Sequence, residues 1–375
     1  MAVELAEIFR QYGPAYRQKY ASRMPASHLK AMRATPALAP GASVEQCRTE
    51  TLGGQVYVCS ACGETRYSYH SCCNRHCPKC QNEKAQDWLE NQQALLLPVP
   101  YFLLTFTLPA GFHEVTRSHQ RLLYDLFFKT SAAATQQLAQ EPRWLGGQIG
   151  MVGVLQTWGR NLAYHPHLHY LVPGGGWSTD RQSWLPARNK FFLPVPALSK
   201  VFRGKLQQAL RHTACYARIP ANVWQQKWVV HCEGVDSGLS ALKYLAPYIF
   251  RVALSNNRIL KLEGDRVTFR YRATETGAEK RCTLGAEEFM HRFLQHVLPK
   301  GFVKVRYYGF FAATQRAKLI SLQQQLSQLP APIPSAQTQP PDTGQTQPSP
   351  NLLCPQCGQP MLFQQTLPPT LCRSP

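Results

Sequence analysis

The chain is short of acidic residues. Its 375 residues hold 21 Asp and Glu against 41 Lys and Arg, a formal charge of +20. An excess of this size is the electrostatic footprint of a nucleic-acid partner. The surplus runs from Arg10 to Arg316 rather than sitting in one tail, which favours an extended contact with a polyanion. Long apolar runs are missing too. None approaches the roughly 18 residues of a membrane helix. The N-terminus, MAVELAEIFRQYG, lacks the charged-then-apolar layout of a secretion signal and reads as a short amphipathic helix. A cytoplasmic protein with no membrane partner is expected. No solenoid-type repeat is present. The thirteen cysteines are an odd count, which argues against a disulfide framework in such a compartment. Their clustering points to metal.

Apolar periodicity gives the middle of the chain a mixed character. YFLLTFTLP at 101–109 reads as a central strand, and 113–139 as helix. Residues 147–159 and 165–176 read as an antiparallel hairpin beside that strand. A basic helix is expected over 196–213, a strand over 223–233 and a helix over 239–254. A hairpin at 266–272 and 280–285, a helix at 286–299 and a last strand at 303–312 follow. Antiparallel strands mixed with helices predict an α+β fold. The Gln-, Pro-, Ser- and Thr-rich stretch from Ser321 to Asn351 reads as a flexible linker ahead of a small C-terminal element, LLCPQCGQPMLF.

Seven cysteines fall within 47–80. Two C-x2-C knuckles, Cys59/Cys62 and Cys77/Cys80, are separated by fourteen residues. Each can offer two thiolates to one tetrahedral zinc. Cys47, Cys72, Cys73, His70 and His76 lie nearby and could serve a second zinc. Arg66, Arg75, Lys79 and Lys84 give the module a basic rim suited to DNA. Cys354 and Cys357 form another C-x2-C, with Cys372 as its near companion; it reads as part of a zinc site.

YHPHLHYL at 164–171 sets His165, His167 and His169 at alternate positions, on one face of a strand. Neutral imidazoles suit a divalent metal. A metallo-β-lactamase-like site would need H-x-H-x-D-H, and no carboxylate follows His169. A three-histidine zinc site including His165 stays open. Pro166 suggests that the strand begins only near His167. In KYLAPYIFR, Tyr244 and Tyr248 share one helical face, with Pro247 expected to kink the helix. Tyrosines beside a histidine-held metal in a basic protein suggest phosphodiester transesterification.

In order, SCCNRHCPKCQ, FLLTFTLP, HPHLHYLVPGGG, KYLAPYIFRVALSNNRI and FMHRFLQHVLPKGFVKVRYYGFFA resemble the IS-ninety-one-like rolling-circle insertion-sequence transposases of the HUH endonuclease superfamily, over roughly residues 5–315. The resemblance implies an antiparallel sheet flanked by helices, preceded by a small zinc-binding module. It implies nicking of single-stranded DNA at insertion-sequence ends through a 5′-phosphotyrosine, and a bacterial, nucleoid-associated protein. Tyr244 and Tyr248 match the catalytic tyrosines. His167 and His169 match the ligands of magnesium or manganese, and Cys59, Cys62, Cys77 and Cys80 the zinc region. For the third metal ligand, Gln156 on the neighbouring strand is preferred to Asn256 and His165. Arg251 is a candidate phosphate contact. The expected division is a zinc-binding DNA-recognition module over 1–95, a catalytic domain over 96–315, a linker over 316–351 and a partial zinc knuckle over 352–375. No small-molecule cofactor is expected. A plasmid replication initiator or relaxase of the same chemistry, and an inactive zinc DNA-binding derivative, are the competing readings.

Overall fold

The structure is a computed structural model. It describes residues 3–32, 47–72, 77, 88–188, 191–235, 237–250, 253–273, 276–328 and 352–369, with the backbone alone at 26, 30, 244 and 246–250. The chain divides into two units, one combining Leu5–Gln81 with Pro330–Pro375 and the other combining Asn82–Leu329 with Met1–Glu4.

The smaller unit opens with α1 (Leu5–Tyr20) and α2 (Ala26–Met32) and continues with β1 (Gly54–Cys59) and β2 (Thr65–Tyr69). Leu5, Ile8, Phe9 and Tyr16 are buried, at the i, i+3, i+4 spacing of an amphipathic helix. β1 is the centre of a three-stranded sheet. One neighbour is β2; the other is the C-terminal strand Met361–Leu367.

The larger unit runs through β3 (Tyr101–Thr107), α3 (His113–Ser118), α4 (Gln120–Gln140), β4 (Met151–Trp158) and β5 (Tyr164–Pro173). The hairpin β6 (Gly175–Ser178) and β7 (Ser183–Pro186) follows, then α5 (Val195–Leu210), β8 (Val230–Val235) and α6 (Gly238–Phe250). After them come β9 (Ile259–Glu263), β10 (Arg266–Arg272), β11 (Glu279–Gly285), α7 (Ala286–Leu294), β12 (Val305–Tyr308) and α8 (Arg316–Ser327). Met361–Leu367 of the smaller unit is β13. The main sheet is antiparallel throughout, in the order β12-β4-β5-β3-β8. The α+β class expected from the sequence is the class observed.

Both faces of this sheet are covered. On one, Phe106, Leu168, Tyr170 and Val172 pack with α4 and α5 in an aromatic core. Phe106 meets Tyr170 and Phe202 edge-on, with ring centroids 5.7 and 5.1 Å apart. The Tyr170 hydroxyl lies 2.8 Å from Ser131 Oγ, which satisfies a fully buried polar group. On the other face Leu103, Val152 and Leu171 pack with Ala241, Leu242 and Leu245 of α6 and with Leu319, Leu322 and Leu326 of α8.

Several elements depart from expectation. β5 starts at Tyr164, ahead of Pro166. Trp158 pairs with Tyr164 while Gln156 pairs with His167, so β5 carries one extra residue there. A bulge absorbs a proline that has no N–H for the ladder. The helix expected over 113–139 breaks at His119 into α3 and α4. The strand expected over 223–233 begins at Val230, and the indoles of Trp224 and Trp228 before it stack at 5.6 Å in the aromatic core. The assigned linker is helical over its first turns. In α8, leucines at 319, 322 and 326 form one apolar stripe among glutamines, a period that composition conceals.

Leu322→Ala is expected to destabilise the larger unit by about 2–4 kcal/mol, as loss of a buried leucine does. A linker residue would cost less than about 0.5 kcal/mol. Urea denaturation followed by tryptophan fluorescence separates the two values.

Candidate active site

The alternation that buries Leu168, Tyr170 and Val172 on the aromatic side turns His167 and His169 to the opposite face. His167 pairs with Gln156 on β4 and with Thr107 on β3; His169 pairs with Val154 and Thr105. Paired residues of an antiparallel sheet share a face. Gln156, His167 and His169 therefore stand together, all buried, with the two imidazole centroids 4.9 Å apart.

Each imidazole is held through Nδ1. His167 Nδ1 lies 2.7 Å from the His165 carbonyl oxygen. A carbonyl can only accept, so the proton sits on Nδ1 and the Nε2 lone pair is the one that could serve a metal. His169 Nδ1 lies 3.0 Å from Thr105 Oγ1. Burial lowers the His167 pKa to about 4 and that of His169 to about 3, so both rings are neutral at pH 7.

Gln156 offers a third donor atom, an oxygen. Its Nε2 donates to the Trp158 carbonyl at 3.0 Å. That acceptor fixes the amide orientation, because only the NH2 end can face a carbonyl. Oε1 is then directed away, buried and with no hydrogen-bond partner. An unsatisfied buried acceptor costs about 1–3 kcal/mol. A cation held with His167 and His169 removes that cost, and the nitrogen and oxygen donor set accommodates a divalent ion.

His165 does not close a three-histidine trio. It is exposed at the bulge, with its ring 5.2 Å from that of His167. Among the described residues, the groups of three or more His, Cys, Asp or Glu ligand atoms within 4.8 Å of one another consist of cysteine alone. Asn256 opens the turn into β9, on the three-stranded β11-β10-β9 sheet rather than the main one. Tyr244 and Tyr248 lie in α6, the helix whose Ala241, Leu242 and Leu245 pack on the histidine-bearing face. Arg251 lies outside the described residues.

Three neighbours carry no motif. Thr105 and Thr107 are the polar positions of an otherwise apolar strand, and that interruption was the available signal. His113, at the start of α3, sits with its ring 6.4 Å from His165 and its Nε2 buried without a partner; burial lowers its pKa to about 4.

The cysteines regroup. Cys59 and Cys62 lie with Cys354 and Cys357, whereas Cys77 lies with Cys47 and Cys72. The expected union of Cys59 and Cys62 with Cys77 is not formed. β2 occupies the intervening segment and runs back along β1, so the chain leaves the first knuckle before Cys72 and Cys77. Cys73, Cys80 and Cys372 lie outside the described residues. All-sulfur donor groups suit zinc.

Comparison with known proteins shows the family. Residues 150–318 match the family described as "Putative transposase", and residues 8–108 match "Transposase zinc-binding domain". The chain is 39% identical over 352 residues to "Putative transposase y4qJ" of Sinorhizobium fredii, covering 88% of this chain and 86% of that protein. It is 28% identical over 286 residues to "Transposase for insertion sequence element IS801" of Pseudomonas savastanoi pv. phaseolicola, covering 71% and 68%. No solved structure matches. Among the described residues no helix is long and apolar enough to cross a membrane. With a zinc-binding domain at its N-terminal end and a transposase domain following, this chain belongs to the IS-ninety-one-like transposase family.

Proposed function

We propose that this transposase nicks single-stranded DNA at insertion-sequence ends by tyrosine transesterification and drives rolling-circle-like transposition. The observation that carries the proposal is the partnerless Gln156 Oε1, buried beside His167 and His169 on the face against which the tyrosine-bearing helix packs. Either Tyr244 or Tyr248 attacks the scissile phosphorus through its phenolic oxygen and gives up its proton to solvent. The new P–O bond forms as the bond to the 3′-oxygen breaks, and that oxygen leaves and takes up a proton. The 5′-phosphotyrosine retains one phosphodiester-level bond, so rejoining needs no external energy source. The second tyrosine allows a second transfer before the first is resolved. His167, His169 and Gln156 would hold magnesium or manganese, which when bound polarises the phosphate and stabilises the departing oxygen.

The chain's excess of 20 positive charges supports binding along the DNA backbone. The zinc module, with Arg66 beside its first knuckle, supplies a surface for recognition of the element end. Among reactions of this chemistry, transposition is favoured over plasmid replication or conjugative relaxation by the transposase zinc-binding domain at 8–108.

Labelled single-stranded DNA carrying the element end, incubated with the protein and manganese, is expected to yield a denaturation-resistant protein–DNA adduct. Tyr244→Phe combined with Tyr248→Phe should abolish it. An adduct that persists in that double variant removes these tyrosines as nucleophiles. Absence of any adduct with magnesium or manganese removes the reaction itself. Gln156→Ala should raise the manganese concentration for half-maximal adduct about ten-fold, the loss of one ligand of roughly 1.4 kcal/mol. Titration with an unchanged midpoint would exclude Gln156 from the metal site.

A further inference from the structure

The two ends of the chain carry one repeated signature: C-S-A-C-G at 59–63 and C-P-Q-C-G at 354–358. They fold alike. In the first knuckle the Gly63 N–H donates to the Cys59 carbonyl at 2.9 Å, and the Cys59 N–H to the Glu64 carbonyl at 2.9 Å. In the second the Gly358 N–H donates to the Cys354 carbonyl at 2.9 Å, and the Cys354 N–H to the Gln359 carbonyl at 2.8 Å. Gly63 and Gly358 both adopt φ of 73°, which a residue with a Cβ rarely takes. Each knuckle thereby turns its two thiols to the same side.

The two turns face each other. Cys59 Sγ lies 3.4 Å from Cys357 Sγ, and Cys62 Sγ lies 3.5 Å from Cys354 Sγ. All four sulfurs fall within 4.8 Å of one another. Zinc with four thiolates at about 2.3 Å requires sulfur separations of about 3.8 Å, the edge of the tetrahedron. The separations are too long for disulfides, whose sulfurs stand about 2.05 Å apart. Cys77 belongs to the other cluster, so it does not compete for this place.

We propose that Cys59, Cys62, Cys354 and Cys357 form one structural zinc site that clips the C-terminal segment onto the N-terminal module. Burial alone gives little reason for the segment to dock. β13 pairs with β1 from Gly54↔Leu367 to Cys59↔Met361, yet of its side chains only Met361 is buried. Leu362 and Phe363 are 61% and 55% exposed. An edge strand with so small an apolar face is marginal by itself. Metal coordination supplies what the packing lacks. The Asn82–Leu329 unit is then an insertion within a zinc module whose two pieces the metal joins. This assignment goes beyond the N-terminal zinc-binding domain and does not depend on the tyrosine chemistry.

The test uses the full chain with a protease site inserted between Gln337 and Thr338. After cleavage, the C-terminal fragment is expected to co-elute with the remainder on size exclusion, to separate on addition of EDTA, and to rejoin when zinc is restored. Cys354→Ser with Cys357→Ser in the uncleaved chain should lower bound zinc by about one per chain, as loss of one tetrahedral site predicts. Spontaneous separation of the fragment while the protein keeps its zinc would overturn the proposal. So would release by reductant but not by chelator, or an unchanged zinc content in the double variant.

Discussion

The register of β5 is the constraint on which the larger unit depends. Its residues alternate between an aromatic core and the face that carries the polar site. A slip of one position would drive His167 and His169 into the packing of Phe106 and Phe202 and carry Leu168 and Tyr170 out of it. Two covered faces make that slip costly in both directions. The bulge at Pro166 is the one departure from the ladder, and it contributes to the site. It leaves the His165 carbonyl positioned to accept the Nδ1 proton of His167, so the irregularity selects the tautomer. The polar alignment of Gln156, His167, Thr105 and His169 follows from pairing alone.

Much of this was legible because the relevant patterns are local. His167 and His169 have the period of a strand, and the apolar run at 101–107 belongs to a strand with two buried faces. Gln156 could be singled out because a hairpin partner lies opposite. What escaped was set by distant chain. Nothing within 223–229 distinguishes a strand from a segment whose tryptophans stack into a core built by other elements. α8 was hidden by its glutamines, since composition averages away a stripe of three leucines. The pairing of cysteine knuckles depended on topology. Spacing favoured Cys77 as the partner of Cys59 and Cys62, but β2 intervenes and β13 delivers Cys354 and Cys357 from the far end of the sequence. The repeated C-x-x-C-G signature was the available clue.

The two units rest on different physics. The larger has two hydrophobic cores with dense aromatic packing and tolerates buried polar groups within them. In the smaller, cysteines are the centres of the clusters beyond α1: Cys47, Cys72 and Cys77 beside Leu52, and Cys59 and Cys354 beside Met361. Buried thiols gathered in this way suit zinc, which could cross-link the chain without an oxidising compartment.

Burial of the site follows the same balance of terms. His167, His169 and Gln156 are withdrawn from water, and their neutral state is enforced by that withdrawal. Between the ordinary histidine pKa near 6.5 and the depressed values near 4 and 3, the unfolded chain binds protons that the folded one refuses. Acidification through that window therefore removes stability, and the loss is largest once pH falls below both folded values. At neutral pH the rings already have the protonation state that a cation needs, so ion binding there displaces no proton from them. The folding free energy spent on keeping the imidazoles dry is recovered as a preorganised donor set, and the aromatic core on the far side of β5 is what makes that arrangement sustainable.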